Sequence, residues 1–262
     1  MKKLIIIALS FLLTGCGWLN DTKLYLSAPD VPVLFYKSVQ KPFHNINCQG
    51  TLIVRLDGKK KTPWLAVNRK GYVYAYVQND TLYLKPVPRE NKEGHGPIWS
   101  MVTINGVPIK DLNISGRCRV LATNAHGYAM NIRARGNAFL HLEGVFGVKS
   151  ITSHDHANVN VTFLKAHQLT VWAFNKSRLK LAGTAKILRA KVDNEAQADM
   201  RYLRGKDVYV KTSEQALARV TPTERIWAFA TNQSNIYYYK TPGPNLKLTR
   251  QSGNVLQLGH WN

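Results

Sequence analysis

The chain has 262 residues, and its 36 Lys and Arg against 15 Asp and Glu give a formal net charge of +21 at pH 7. Such a balance bears on partners rather than on fold, and it points away from cationic ligands and toward lipopolysaccharide, acidic glycans, anionic head groups or extracellular DNA. Three cysteines are too few for a disulfide-built scaffold.

Residues 1–15 read as a signal peptide: Lys2 and Lys3, an apolar run from Leu4 to Leu13, then small residues before Cys16. The run is too short for a membrane span. Leu13-Thr14-Gly15-Cys16 resembles the lipobox of bacterial lipoproteins. That resemblance implies cleavage before Cys16 and lipidation of Cys16, which would hold the protein on a membrane. Gly17, where an inner-membrane retention signal would place Asp, implies the outer membrane of the cell envelope. Cleavage removes two lysines and no acid, leaving about +19. An exported lipoprotein seldom meets nucleic acid, so nucleic acid is not an expected partner.

Residues 16–42, with three prolines and little period, read as a tether from the lipid to a body spanning 43–262. Cys48 and Cys118 both fall at apolar-phase positions of strands. Two readings stay open, a disulfide permitted by an oxidising compartment and a pair of buried thiols, because spacing alone cannot show that the two backbones approach. Residues 90–99, "ENKEGHGPIW", read as a loop inside one domain.

Downstream, a phrase returns. The triplets Cys118-Arg119-Val120, Leu140-His141-Leu142, Val159-Asn160-Val161, Leu179-Lys180-Leu181, Met200-Arg201-Tyr202, Ala218-Arg219-Val220 and Ile236-Tyr237-Tyr238 start 18 to 22 residues apart. Each alternates with period two, as a strand with one buried face requires. A second apolar strand follows in most units: "ITS" at Ile151, "LTVWAF" at Leu169, "ILRAKV" at Ile187, "VYV" at Val208, "IWAFA" at Ile226 and "LKL" at Leu246. No window carries the caps and period of an ordinary helix. Units of about 20 residues built of strands predict an all-β, right-handed parallel β-helix. A sandwich or barrel is the competing fold, but hairpins would bring Asn-Gly or Asp-Gly turns. Arg117, Asn158, Arg178, Asn235 and Asn254 are expected to form a turn column.

The middle residues of the triplets point outward. Arg119, His141, Asn160, Lys180, Arg201, Arg219 and Tyr237 are therefore a candidate stripe for an anionic ligand, since stacked strands lie about 4.8 Å apart. Catalytic signatures are missing from the sequence: it has no nucleophile elbow, metal-binding His-Glu-x-x-His or phosphate loop. No cofactor is expected. His154 and His156 in "SHDH" are weak candidates for a metal, needing a third ligand from a neighbouring coil. Asp193, Glu195 and Asp199, with Asp155, suggest a calcium-dependent polysaccharide lyase using Lys180 or Arg201 as base. Tyr237-Tyr238-Tyr239, Trp172 and Trp227 are candidates for stacking on sugar rings, although alternation sends at least one of the tyrosines inward.

"MVTINGVPIKDLNISGRCRVLAT", Met101 to Thr123, resembles a recurring line of the head GIN domain family of putative autotransporter adhesins. "SRLKLAGTAKILRAKV", "SNIYYYKTPGPNLKLTRQSGNV", "FHNINCQGTLIVRLDG" and "TLYLKPV" are similar to other parts of that family, so the resemblance runs from Phe43 to Leu258. It implies a repetitive β fold in an exported envelope protein, with no catalytic residue and no cofactor. The strongly basic balance and the Asp-Asn-Glu, Ser-Glu-Gln and Asn-Gln-Ser turns depart from the family's usual Ser-Gly phrases. The expected activity is therefore non-enzymatic binding or adhesion through basic β-helix faces. A lyase and a structural part of an envelope assembly with a protein partner are the alternatives.

Overall fold

The computed structural model describes residues 24–26, 35–38, 42–57, 64–67, 73–87, 100–105, 107–123, 127–239 and 245–259. Cys16, residues 1–15 read as a signal peptide, and residues 90–99 lie outside them. Nineteen strands join one continuous sheet system, and no helix occurs among the described residues. The parallel β-helix expected from the repeat is the architecture found.

The regular part is built from long bent strands, Phe139–Ser153, Asn158–Ala173, Arg178–Val192, Gln197–Thr212 and Leu217–Thr231, each pairing in parallel with the next. Each bends through three sheets. The first holds the triplets, the second is a short step after a bulge, and the third holds the second apolar run. Inward residues stack in register as Val120, Leu140, Val159, Leu179, Ala198, Ala218, Ile236 and Val255. All of these are buried. One coil thus takes 18 to 20 residues in this ladder.

That register corrects the expected stripe at two positions. Arg119 pairs with Phe139, and Leu121 stands beside His141; Asp199, not Arg201, stands between Lys180 and Arg219. A shift of two residues leaves every side chain on its own face, so alternation is blind to it. The turns fix it instead. Gly116, Gly136, Asp155, Asn175, Asn194, Glu214, Asn232 and Ser252 share one corner, all with φ between 56° and 71°. This left-handed column replaces the expected one. Asn158, Arg178, Asn235 and Asn254 form an outward column of the first sheet instead, while Arg117 sits in the turn beside Gly116. Asn tolerates the left-handed region better than most residues and brings an amide to the corner. Asn175 Nδ2 donates to Asp155 Oδ1 at 3.1 Å, Asn194 Nδ2 to Asn175 Oδ1 at 2.9 Å, and Asn232 Nδ2 to Glu214 Oε1 at 3.0 Å.

The opposite end departs from chain order. Asn45–Gln49 and Leu52–Asp57 form a coil inserted between Thr81–Pro86 with Ser100–Asn105 and Asp111–Ser115 with Arg119–Thr123. Cys48 and Cys118 are joined as a disulfide with Cα atoms 6.2 Å apart, which resolves the two readings in favour of the bridge. It closes a separation of 70 residues, worth roughly 4 kcal/mol in chain-entropy terms. Antiparallel strands then cover the exposed edges: Val73–Gln78 turns at Asn79-Asp80 onto Thr81–Pro86, and Trp64–Val67 pairs with Ser100–Asn105. Within the segment read as a tether, Leu24–Leu26 pairs with Val73–Gln78 and Phe35–Ser38 with Trp64–Val67.

Candidate functional site

Alternation in the third sheet places two columns of side chains outward. The first runs Asn131, Ser150, Thr170, Arg189, Tyr209, Trp227, and the second Arg133, Thr152, Trp172, Lys191, Lys211, Phe229. Short polar groups therefore line the early coils, and Ser150 Oγ donates to Asn131 Oδ1 at 2.8 Å. From Trp172 onward the slots hold aromatic and basic side chains. These border an open groove lined by Thr170, Trp172, Arg189, Lys191, Tyr209, Lys211, Trp227 and Phe229. It continues over Lys149, Lys165 and His167 toward the second sheet.

Tyr209 and Trp227 stack with ring centroids 4.3 Å apart and planes parallel. The Arg189 guanidinium lies 5.5 Å from the Tyr209 centroid, Arg225 5.4 Å from that of Trp227, and Lys211 5.3 Å from that of Phe229. Rings stacked along the ladder cover one another's faces and leave their edges free. An aromatic edge carries the positive part of the quadrupole. Edges and cations together make this face complementary to anions. Sugar-face stacking on Trp227 is thereby narrowed on its Tyr209 side. Trp172, 41% exposed, has Thr152 and Lys191 as column neighbours and no stacked ring among the described residues.

One ion pair fixes the edge of this face. Arg225 Nε and Nη2 donate to the two oxygens of Asp207 at 2.5 and 2.6 Å. The Arg225 hydrogen bonds hold the Asp207 carboxyl below the usual carboxylate range against the opposing effect of burial, and Asp207 in turn holds the guanidinium pKa up. Arg189 and Lys211 have no carboxylate partner among the described residues.

The first sheet is electrically different. Its column reads Leu121, His141, Asn160, Lys180, Asp199, Arg219, Tyr237 and Leu256. An acid therefore interrupts the cations. Arg201 Nε and Nη2 donate to Asp199 Oδ1 and Oδ2 at 2.8 and 2.7 Å. Burial raises the Asp199 carboxyl, but the bonds from Arg201 and the charges of Arg201 and Arg219 outweigh it and leave it below its ordinary value. His141 lies 4.0 Å from the Glu143 carboxylate. Tyr238 and Tyr239 are buried, so Tyr237 alone of the three faces outward.

The other candidate groups are dispersed or engaged. His154 stacks on Phe174 at 4.7 Å, and His156 occupies the turn beside Asp155. Among the described residues no group of three or more His, Cys, Asp or Glu is placed to hold a metal ion. Asp193 meets Lys191 Nζ at 2.8 Å and Ser213 Oγ at 2.5 Å, Glu195 meets Lys176 at 3.7 Å, and Asp155 accepts from Asn175 and from the Gly136 amide. Sequence reasoning missed Tyr209, Phe229, Arg189, Lys191 and Lys211. Reading the outward slots of "ILRAKV", "VYV" and "IWAFA", as was done for the triplets, finds them.

A family model described as "Putative auto-transporter adhesin, head GIN domain" matches residues 66–242. No curated protein sequence matches the chain. Among solved structures, a putative adhesin from Parabacteroides distasonis is 17% identical with a TM-score of 0.72, covering 86% of this chain and 96% of its own. A putative lipid binding protein from the same species is 14% identical with a TM-score of 0.70, over 87% and 97%. A putative adhesin from Parabacteroides merdae is 16% identical with a TM-score of 0.64, over 86% and 95%. At these identities the likeness is one of fold.

Proposed function

The chain belongs to the head GIN domain family of putative auto-transporter adhesins, and from that premise we propose that it is a non-enzymatic adhesion module of the cell envelope that binds an acidic glycan along its third sheet. The observation that carries this reading is the run of aromatic edges and cations over successive coils, with Arg189 and Lys211 free of carboxylate partners among the described residues. A polymer lying along the groove would set its carboxylates against Arg189, Lys211 and the ring edges, while Trp172 offers a surface to a sugar ring. A cleft between charged walls concentrates such a ligand.

Engagement of Asp193, Glu195 and Asp199 by cations supports binding over a lyase reaction. Anchoring through a lipid on Cys16, with residence at the outer membrane, belongs to the same proposal. Replacement of Cys16 by Ser should make the protein releasable from the membrane fraction by a high-salt wash that leaves the lipid-anchored form in place. The test of the binding reading is a tryptophan-fluorescence titration with polygalacturonate at graded ionic strength. Saturable quenching that weakens steeply with salt supports it, because exposed charge pairs are screened. Absence of binding at low salt, or release of ultraviolet-absorbing unsaturated product with calcium, overturns it.

A further inference from the structure

The corner between the first and second sheets carries an apolar ridge that neither the core nor the glycan groove uses. Its members are Val145, Phe163 and Tyr202, exposed by 56%, 65% and 67%. They are brought out by irregularities of the ladder. Register is kept at Val161↔Leu181 and again at Leu164↔Gly183, so Thr162 and Phe163 oppose Ala182 alone. The neighbouring pairings shift at the same corner, between Glu143 and Phe146 and between Lys180 and Ala182. A bulge re-aims a side chain in this way.

The cost of holding Phe163 outward is visible in the backbone. Its φ of 58° lies in the left-handed region, which a bulky side chain rarely occupies. Gly183, which pairs with the next residue, Leu164, must be glycine, since a Cβ there would lie 1.9 Å from the Leu164 carbonyl oxygen, at a φ of +137°. The left-handed Phe163 and the tight Leu164–Gly183 approach thus sit side by side at the bulge that exposes the ring.

Cations accompany the ridge. Lys165 and Arg204 are two residues beyond Phe163 and Tyr202, in one outward column through Thr184. Lys186 adjoins them across a shared depression. Lys165 and Arg204 have no carboxylate partner among the described residues, and Lys186 forms no ion pair among them although its charge acts on Asp207, whereas Lys206 pairs with Glu224 at 2.8 Å. Apolar and aromatic side chains one residue deep, edged by long basic ones, are the makeup of a surface that lies in a membrane interface. Aromatic rings settle at head-group level, and a cationic flank favours an anionic leaflet.

We propose that this corner docks on the anionic head-group surface of a membrane, with Phe163, Tyr202 and Val145 inserted and Lys165, Lys186 and Arg204 on lipid phosphates. The apolar ridge lies outside the glycan groove, Lys165 bordering both, and the proposal does not depend on glycan binding. Hydroxyl-radical footprinting of the full chain tests it. On phosphatidylglycerol vesicles, oxidation of Phe163 and Tyr202 should fall at least about threefold while Trp172 is unchanged, and on phosphatidylcholine vesicles it should not fall. The double variant Phe163→Ser, Tyr202→Ser should lose the preference for phosphatidylglycerol yet keep its affinity for polygalacturonate, so the two proposals fail separately. Unchanged oxidation on phosphatidylglycerol, or equal protection on both lipids, overturns the proposal. So does protection that appears with native membranes but not with protein-free vesicles, which would assign the ridge to a protein partner.

Discussion

The first and third sheets belong to the same coils and share one core, yet only the third presents stacked aromatic rings with Arg189 and Lys211 left without a carboxylate partner among the described residues. On the first sheet Asp199 stands between Lys180 and Arg219 and ties up Arg201, so opposite charges alternate along the column. On the third, Arg189 leads into the Tyr209–Trp227 stack, and Lys211, without a carboxylate partner among the described residues, stands in the next column beside Lys191, which Asp193 holds at 2.8 Å. Register separates the two faces, because a stacked neighbour about 4.8 Å away decides whether a cation is neutralised or left for a ligand.

The largest effect that can break this contrast is loss of the frame itself. Replacement of Leu140 or Leu179 by Ala removes an inward side chain from a fully packed column and should cost about 2 to 5 kcal/mol. Denaturant melts check this, and a cost near zero would mean that the inward ladder is misassigned. Next in size is Trp227→Ala, which unstacks Tyr209 and should weaken polygalacturonate binding about tenfold, as loss of an aromatic anchor does. Calorimetric titration measures it.

Acid provides a smaller and graded test with one clamp at each sheet. Asp199 and Asp207 have folded pKa values below their unfolded ones. Their contribution is therefore present above the unfolded value, about 3.9, and is lost as pH falls through the lower folded value. Thermal melts should show the melting temperature dropping below about pH 4. Asp207→Asn should flatten that drop. The smallest effect belongs to the first sheet: Lys180→Ser with Arg219→Ser should alter stability by less than about 0.5 kcal/mol each and leave melting curves nearly superimposable.

Much of the frame was legible from residues alone. The triplets Leu140-His141-Leu142, Leu179-Lys180-Leu181 and Ala218-Arg219-Val220 named the first sheet, and "LTVWAF" to "LKL" named the third. What alternation could not supply was the two-residue phase of Arg119 and Arg201, because either phase buries the same face. The left-handed corner was obscured for a related reason. Gly116, Asp155, Asn194 and Glu214 share a backbone conformation without sharing a residue type. The coil at 45–57 was hidden because it is inserted out of chain order, and only its pairings and the Cys48–Cys118 bridge place it. At the candidate site, Trp172 and Trp227 were visible as aromatics, but the stack that turns Trp227 edge-outward depends on Tyr209 in an adjacent coil.

The claim that register, rather than charge count, selects the binding face is tested most directly by titrating polygalacturonate against two double variants of equal charge loss. Arg189→Ser with Lys211→Ser should lower affinity at least about tenfold and make the remaining binding less sensitive to salt. Lys180→Ser with Arg219→Ser should change affinity less than about twofold. Equal losses from both variants would contradict the account, since they would make the ligand a probe of net charge and leave no distinction between the two sheets.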